Sequence, residues 1–449
     1  MEDPSGVDVE AGLFVWEVLE SLEVFPMRHI PLNSGGQMHP LLVRLGVPAS
    51  LVLALSACAA PSAPSGSGND DRSWAQIADA ARGQTVDLWM YGGDQQGNAY
   101  VDDVLAPAVA ERGVTLRRVP VADTADAMTR ILAERQAGTD DGSVDLVWVN
   151  GDNFATGKQA DAWRCDWAGQ LPNMRYVDPE DPLVTQDFGT VVDGCESPWH
   201  KAQFTLVYDS ARVTDPPESM PGVLEWARDN PGRFTYPAPP DFTGSVFVRQ
   251  LLYSTAGGAD QVPDRFEQTA YDELAPELWD TLAELEPSLW REGRTYPRDA
   301  VALDRLFAQG QIDMTMTYGP ATLTQLVADG TFPTTTRVLP LEEGTVGNAS
   351  FLAIPSAAAD PEGAMVVADV ALSPAQQAAK ADPAAWGQFT VLAIDRLEGE
   401  DRARFDRLPA SDVVPAYDVL SRNANPELAS SWVPRLDEGW RRSVLGAGS

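Results

Sequence analysis

The chain has 449 residues with 66 acidic and 32 basic side chains, which gives a formal charge of −34 at pH 7. That length is enough for one large two-lobed domain or for two domains, each with its own buried core. A surface this acidic repels nucleic acid and anionic lipid head groups, so we exclude nucleic acid as a partner.

The first informative element is a short apolar run that ends at a cysteine. Leu45–Leu55 lies between Arg44 and the small residues Ser56 and Ala57, and Cys58 follows directly. This pattern resembles a bacterial lipoprotein signal, in which the cysteine is lipidated and becomes the first residue of the mature protein. A buried helix or a short membrane span is the alternative, but the run is too short to cross roughly 30 Å of hydrocarbon. We therefore predict an extracytoplasmic protein that is anchored to the bacterial cell membrane through lipid on Cys58 and does not span it.

The segments on either side of this signal do not have the pattern of folded elements. All acidic residues that precede Cys58 lie before Met27, whereas a signal peptide should begin with positive charge. We therefore interpret residues 1–37 as upstream sequence translated in error, and residues 38–57 as the signal peptide. Residues 58–73 are rich in Ala, Pro, Ser and Gly, which is typical of a flexible linker.

Strand signals then recur at regular intervals, with a helical pattern between them. The predicted strands are Thr85–Met90, Val114–Val119 and Val144–Val149. The second helix should begin at an N-cap, Asp123, and end at Gly138. This alternating order gives a parallel sheet with helices on both faces, so residues 74–203 are predicted to form a first α/β lobe.

A second set of the same signals follows along the chain. Its predicted strands are Phe204–Tyr208, Arg233–Tyr236 and Ile312–Thr317, with helical patterns over Asp264–Trp290 and Arg298–Ala308. Residues 204–345 are therefore predicted to form a second α/β lobe. A further strand at Gly347–Ile354 begins residues 346–449, which we expect to return to the first lobe and to end in a helical region.

Cysteine and histidine usage restricts the chemistry of the chain. With Cys58 lipidated, Cys165 and Cys195 remain; a disulfide between them suits an oxidising compartment, and two separate buried thiols are the alternative. After the signal, His200 is the only histidine, and the chain has no phosphate-binding loop and no G-x-S-x-G nucleophile elbow. We therefore expect no metal site, no cofactor and no enzymatic activity. A pair of catalytic carboxylates stays open, because spacing in sequence does not give separation in space.

A series of segments has a specific order and spacing: Gly83–Val86, Asp123–Ala125, Val144–Phe154, Leu171–Asn173, Asp187–Gly189, Pro198–Gln203 and Pro231–Phe242. Together they resemble the YnjB-like solute-binding proteins of ABC importers, from about Trp74 through the second lobe and more weakly to the C-terminus. The resemblance implies the two-lobed type II periplasmic-binding-protein fold, a Venus flytrap whose hinged lobes enclose a ligand. The chain departs from the family pattern at His200, where glycine is expected, and in its paired cysteines.

Ligands of open parallel sheets bind beyond the carboxyl ends of the strands, where this chain places several polar and aromatic residues. Asn150–Asn153 holds more amide and carboxylate groups than a helix cap needs. Tyr91 and Gly92 follow the first strand, where a tight turn with a core tyrosine is the alternative. A proline-rich loop precedes a helix that we expect Thr243 to cap, and Trp199 is expected in a polar loop near the hinge. The predicted ligand-binding residues are Tyr91, Gly92, Asn150, Asp152, Asn153, Trp199, Tyr236, Asp241 and Tyr318.

These observations predict a monomeric binding protein that captures a small polar or cationic organic solute and delivers it to an ABC permease with its ATPase. Aromatic faces and carboxylates both attract a desolvated cation, and thiamine is one candidate because family members carry that label. Two alternatives belong to other functional classes. One is a membrane-tethered hydrolase of cell-wall glycans that uses paired carboxylates, and the other is a structural or chaperone lipoprotein without a small ligand.

Overall fold

The structure is a computed structural model that describes residues 72–420 and 424–446. These residues all fall within one compact unit of the chain. Cys58, the signal peptide, the upstream extension and nearly all of the linker lie outside the described residues. Of the helices within residues 72–420 and 424–446, none is both long enough and apolar enough to cross a membrane.

The first part of the chain forms the predicted alternation of strands and helices. Its elements are α1 (Trp74–Ala80), β1 (Thr85–Tyr91), α2 (Gln95–Tyr100), a π-helical turn (Val101–Leu105), α3 (Ala106–Ala110), β2 (Thr115–Val121), α4 (Thr124–Ala137), β3 (Leu146–Val149) and α5 (Asp152–Gln159). The Asp123 side chain caps α4 by accepting a bond from the Ala125 N–H, and Gly138 ends the helix with a φ of 67°. Both predicted ends of this helix are therefore confirmed.

A small hairpin and one long strand follow. The elements are α6 (Pro182–Thr185), β4 (Gln186–Asp187), β5 (Thr190–Val191) and β6 (Glu196–Asp209). Residues 196–203 of β6 pair with a later strand near the first lobe, and residues 204–209 pair with strands of the second lobe. One continuous strand therefore connects the two halves of the molecule.

The next elements are mostly helical. They are α7 (Met220–Asp229), α8 (Phe242–Ala256), α9 (Gln268–Leu285), α10 (Ala300–Ala308), β7 (Met314–Tyr318), α11 (Leu323–Ala328) and β8 (Thr336–Leu339). The prediction of a strand at Arg233–Tyr236 is wrong. The carbonyls of Arg233 and Phe234 accept bonds from Asp313 and Trp290, which lie on different segments, and Pro237 follows without an N–H to extend a ladder.

The chain then passes between the two halves again. Its last elements are β9 (Val346–Ala353), α12 (Pro361–Leu372), α13 (Pro374–Ala381), α14 (Gly399–Asp406), α15 (Tyr417–Leu420), β10 (Asn425–Pro426) and α16 (Val433–Trp440). The main sheet has the order β2-β1-β3-β9-β6-β7, with β10 beside β9 and β8 beside β6. The strands β1, β2 and β3 are parallel as predicted, whereas β9 runs antiparallel to both β3 and β6.

Two large hydrophobic clusters form the cores of the two lobes. The first packs Leu88, Trp199 and Phe351 with the helices of the N-terminal part and with α12, and the second packs Phe204, Phe247 and Trp440. Most buried hydrophobic residues between Ala349 and Leu397 belong to the first cluster, and those between Val413 and Val444 belong to the second. The C-terminal segment therefore packs on the second lobe; the lobe boundaries at residues 74, 204 and 346 stay predictions.

Candidate functional site

One group of predicted ligand residues lies at the carboxyl edge of the first lobe. Tyr91 ends β1 with its side chain 46% exposed, and the Gly92 N–H donates to the Val121 carbonyl at 2.9 Å, which ties this turn to the end of β2. Asn150 follows β3, and Asp152 and Asn153 begin α5. Because parallel strands end at the same edge of a sheet, these residues share one side of the lobe.

A buried carboxylate lies behind this edge. The Gly151 N–H donates to both oxygens of Asp187, at 2.8 and 2.9 Å, and Asp187 is only 1% exposed. Burial raises the pKa of Asp187 to about 8, although the Gly151 N–H favours the charged form and opposes this effect. Burial also raises the pKa of Glu196 well above its usual value, and the charge of Asp187 adds to this rise.

Asp187 is held in the hairpin of β4 and β5, whose tip is Phe188–Gly189. Both tip residues have positive φ, 44° and 74°, as a type I′ turn requires. This conformation costs an L-residue roughly 1–2 kcal/mol, and Phe188 is a bulky residue to hold there. The Phe188 ring lies against Gly151, where a Cβ would be 3.5 Å from it. The hairpin thus presents a strained aromatic residue next to the loop after β3.

The same hairpin tip touches the second lobe. A Cβ added to Gly189 would lie 2.9 Å from the Ala429 Cβ and 3.3 Å from the Asp264 carbonyl oxygen. Ala429 belongs to the core cluster of the second lobe. The hairpin therefore bridges the gap between the lobes, and only a residue without a side chain fits at this contact.

Aromatic side chains form part of the second lobe's side of this region. Tyr318 ends β7, and its ring meets the edge of the Phe242 ring with the centroids 5.0 Å apart. Phe242 begins α8 and remains 49% exposed. The Tyr318 hydroxyl donates to Glu427 Oε2 at 3.4 Å, and burial together with the Glu427 charge raises the pKa of Tyr318 well above its usual value. The hydroxyl therefore stays a hydrogen-bond donor.

Glu427 forms a buried ion pair with Arg249 behind these rings. Arg249 Nε donates to Oε1 at 2.7 Å and Nη2 donates to Oε2 at 3.2 Å, and both side chains are 1% exposed. The remaining Arg249 nitrogen, Nη1, donates to Ser245 Oγ at 2.8 Å, and Ser245 Oγ donates to Asp437 at 2.7 Å. Two carboxylates thus share one guanidinium, so this cluster does not offer a free positive charge to an anionic ligand.

A small cavity lies between the hairpin of the first lobe and the strands that link the lobes. We call it the interlobe cavity; it has about 210 Å³ of space between atoms, and its lining residues are Pro182, Leu183, Gln186, Phe188, Gly189, Gly347, Asn348, Pro426 and Glu427. Asn348 is only 5% exposed, and its Oδ1 has no hydrogen-bond partner among the described residues.

A larger groove, with about 850 Å³ of space between atoms, lies elsewhere, on the second lobe alone. Its lining includes Tyr208, Pro216, Pro217, Leu339 and Leu341. Because no residue of the first lobe contributes to it, hinge motion between the lobes would not enclose a ligand there. Within residues 72–420 and 424–446, no three or more His, Cys, Asp or Glu side chains are grouped so as to hold a metal ion.

Comparison with known proteins identifies the family. Residues 99–393 match the family described as bacterial extracellular solute-binding protein. Protein YnjB of Escherichia coli (strain K12) is 38% identical over 369 residues, which cover 82% of this chain and 92% of YnjB. The chain belongs to the bacterial extracellular solute-binding proteins.

Solved structures of this kind share the fold. An ABC transporter protein from Clostridium perfringens ATCC 13124 aligns with a TM-score of 0.58 at 14% identity, over 80% of this chain and 99% of that chain. The spermidine/putrescine ABC transporter substrate-binding protein PotD from Streptococcus pneumoniae strain Canada MDR_19A aligns with a TM-score of 0.56 at 13% identity, over 81% and 99%. The predicted type II periplasmic-binding-protein fold is confirmed.

Membership in this family also decides the functional class. Members of this family bind a solute outside the cytoplasm and do not convert it, so the chain is a binding protein and not an enzyme. Nothing in the comparisons supports the alternative of a glycan hydrolase. The function of this solute-binding protein therefore depends on which ligand its lobes enclose.

Two predicted ligand residues of this solute-binding protein lie in its cores. Trp199 is fully buried, because it is part of strand β6 and not of a polar loop, and its ring packs 5.3 Å from Trp386. Tyr236 is also fully buried; its ring stacks 4.6 Å from Phe247 and its hydroxyl accepts a bond from Trp440 Nε1 at 3.0 Å. Neither side chain can touch a ligand in this conformation, so their placement in the cleft is corrected.

The loop before α8 also differs from expectation. The predicted cap Thr243 lies inside the helix, and the cap is Asp241, whose Oδ1 accepts a bond from the Gly244 N–H at 3.1 Å. One oxygen of Asp241 is therefore used to stabilise the helix end. This local role accounts for an aspartate at this position without a ligand.

Sequence reasoning missed the residues that the structure brings to the interlobe region. Asp187 and Phe188 carried one local signal, a two-residue turn ending in glycine between short β segments. Asn348 looked like part of a buried strand, and Glu427 follows a C-terminal segment with no regular pattern. Cys165 and Cys195 are joined in the structure, with their sulfur atoms 1.99 Å apart.

Proposed function

We propose that this protein is the lipid-anchored, monomeric solute receptor of an ABC importer and that its solute is a small polar organic cation enclosed between the lobes. A cytoplasmic ATPase would drive the permease that receives the solute. Thiamine-like cations and alkylammonium ions both belong to this class of solute. The acidic and aromatic character of the interlobe region supports the proposal.

The observation that carries the proposal is the distribution of charge around the interlobe cavity. Glu427 lines the cavity from the second lobe, and Asp187, which becomes negative only above about pH 8, lies in the hairpin that lines the cavity from the first. The basic group of this network is Arg249, and two of the Arg249 N–H groups already donate to the Glu427 carboxylate. A cation is therefore favoured here over an anion.

The aromatic rings favour the same charge. Phe188 lines the cavity, and Tyr318 and Phe242 lie beside Glu427 on the second lobe. The face of an aromatic ring attracts a cation by about 2 kcal/mol when the cation is desolvated. Three rings and the Glu427 carboxylate near one cavity suit a cationic organic solute better than a neutral sugar.

The test is calorimetry with solutes matched in size but differing in charge. We expect cations to bind and the neutral and anionic members of the set not to bind. Because Asp187 is protonated below about pH 8, Asp187→Asn should leave cation binding unchanged at about pH 6 and weaken it about tenfold at about pH 9, where wild-type Asp187 is ionised; tenfold corresponds to about 1.4 kcal/mol. Asp140→Asn, at an exposed position, controls for the loss of one negative charge. A neutral or anionic solute that binds equally well to wild type and Asp187→Asn would reject the cationic assignment.

The lipid anchor has a separate test. We expect wild-type protein to fractionate with membranes, and we expect the Cys58→Ala variant to be released or to keep its signal peptide. Mass spectrometry of the mature N-terminus identifies the modification. A processed Cys58→Ala protein that stays on the membrane would contradict lipidation at this residue.

A further inference from the structure

We propose that the interlobe cavity binds a primary ammonium group of the solute, with Asn348 and Glu427 as its hydrogen-bond acceptors. This inference rests on the proposed cationic solute and specifies its chemical class: an amine with N–H donors rather than a quaternary or aromatic cation.

The first argument is the unused acceptor. The Oδ1 atom of Asn348 is buried and has no partner among the described residues. Several buried polar side-chain atoms of the described residues lack a partner, and among them Asn348 Oδ1 is the one whose residue lines the interlobe cavity, where a donor can arrive with a ligand. An ammonium group supplies three donors and no acceptor.

The second argument is the weak hydrogen bonding at one oxygen of Glu427. Its Oε1 accepts bonds at 2.7 Å from Arg249 and 3.0 Å from the Leu428 N–H, whereas its Oε2 accepts longer bonds at 3.2 Å from Arg249 and 3.4 Å from Tyr318. All of the roughly four acceptor sites of this carboxylate are thus in use, and the 3.4 Å bond from Tyr318 is the long one that an ammonium group can replace with a charge-assisted bond. Glu427 therefore supplies a negative charge to the group that Asn348 also faces.

The third argument is the composition of the cavity wall. Pro182 and Pro426 line the cavity and have no backbone N–H to donate. Gln186 adds an amide, which can present its oxygen as readily as its nitrogen. Two of the nine lining residues therefore offer no backbone donor, and the side chains of Gln186, Asn348 and Glu427 all carry acceptor oxygens for a donor group.

The fourth argument is size. The cavity has only about 210 Å³ of space between its atoms. An ammonium group is about as large as a single water molecule, so it is among the smallest positive groups that an organic solute can present there. A trimethylammonium group or a thiazolium ring is larger and has no N–H on its positive nitrogen. The cavity therefore discriminates by both volume and hydrogen bonding.

The test is calorimetry on the purified full-length protein. It compares linear diamines of about three to six carbons, a chain length typical of a small solute, with the same molecules carrying a trimethylammonium group at each end. These pairs carry the same charge and differ in N–H groups and size. Wild type should bind the best diamine at least about tenfold more tightly than its methylated counterpart. Thiamine is included as the aromatic cation.

Variants of Asn348 separate recognition from folding. Asn348→Ala should weaken diamine binding about tenfold and leave the methylated compounds unchanged or improved, so the selectivity is lost. Asn348→Asp keeps the acceptor and should bind the diamine at least as well as wild type. Asn230→Ala is the control, because Asn230 bonds to Trp226 on the second lobe and does not line the cavity. If Asn348→Ala fails to fold, wild type and Asn348→Asp still decide the test.

The outcomes distinguish this inference from the proposed function. Binding of thiamine or the methylated compounds without the diamines would overturn the ammonium assignment and leave the cationic solute standing. Selectivity that survives Asn348→Ala would overturn the role of Asn348. Binding of only neutral or anionic solutes would reject both proposals.

Discussion

The protonation state of Asp187 gives the sharpest quantitative prediction. Its carboxyl is 1% exposed and accepts two bonds from one N–H, that of Gly151. Burial raises its pKa to about 8 in the folded protein, whereas the unfolded chain should have the ordinary value of about 3.9. The folded protein therefore holds this proton between about pH 4 and pH 8, and the unfolded chain does not.

The sign of the effect follows from proton linkage. Because the folded state binds the extra proton, the stability that it contributes is present at low pH and is lost as the pH rises through about 8. Each pH unit in this range changes the free energy of unfolding by about 1.4 kcal/mol, and the sum from pH 5 to pH 8 is about 3–4 kcal/mol. Asp187→Asn cannot titrate, so it should lack this component of the pH dependence.

The assay is urea unfolding of wild type and Asp187→Asn at pH 5, 6.5 and 8. Any cost of the substitution that does not depend on pH cancels when the difference in stability between variant and wild type is compared across pH. From pH 5 to pH 8 the free energy of unfolding of Asp187→Asn should therefore rise by about 3–4 kcal/mol relative to that of wild type. Asp140→Asn repeats the experiment at an exposed site. Unfolding curves of wild type and Asp187→Asn that shift in parallel with pH would refute a buried, protonated Asp187.

Three further predictions concern packing and charge. Glu427→Gln or Arg249→Met alone should lower the free energy of unfolding in denaturant by about 3–5 kcal/mol, because each leaves the charge of its partner buried and unpaired. A double variant that loses as much stability as the two single variants added together would contradict the pairing. Gly138→Ala should lose about 1–2 kcal/mol of stability because this position has positive φ, and Gly189→Ala should lose more because its new Cβ would also lie 2.9 Å from the Ala429 Cβ. Only Gly189→Ala should weaken solute binding in calorimetry, because nothing lies within 4 Å of the Gly138 position. Equal binding by both variants would count against the interlobe contact. Burial lowers the pKa of Lys380 well below its usual value, so the unfolded chain binds a proton at this residue more readily than the folded protein does. Lys380→Met should therefore be more stable than wild type at pH 7 in thermal unfolding, and this difference in stability should shrink towards pH 10. A stability difference that does not change with pH would contradict a neutral Lys380.

Local patterns predicted much of the first lobe. The Asp123 cap, the Gly138 stop and three parallel strands depend on residues close together in sequence, and the structure has all of them. Arg233–Tyr236 had the composition of a strand, but its neighbours in space offer single carbonyl partners and not a ladder. Strand formation there was decided by distant segments, which a local pattern does not report.

The candidate site was harder to predict because it is assembled from distant parts of the chain. Asp187 and Phe188 come from a hairpin, Asn348 from a linking strand and Glu427 from the C-terminal segment. Trp199 and Tyr236 looked available because polar or proline-rich residues flank them, yet both are buried by elements that lie far away in sequence. Sequence thus located the edge of the first lobe but not the residues that face each other across the hinge.

A crystal structure with the best-binding cation tests the central claim most directly. The account predicts that the solute lies between the lobes, with its positive group within hydrogen-bond distance of Asn348 and Glu427 and with Phe188 against it. A solute found instead in the groove lined by Tyr208, Pro216 and Leu341 on the second lobe, with the interlobe cavity unoccupied, would contradict it.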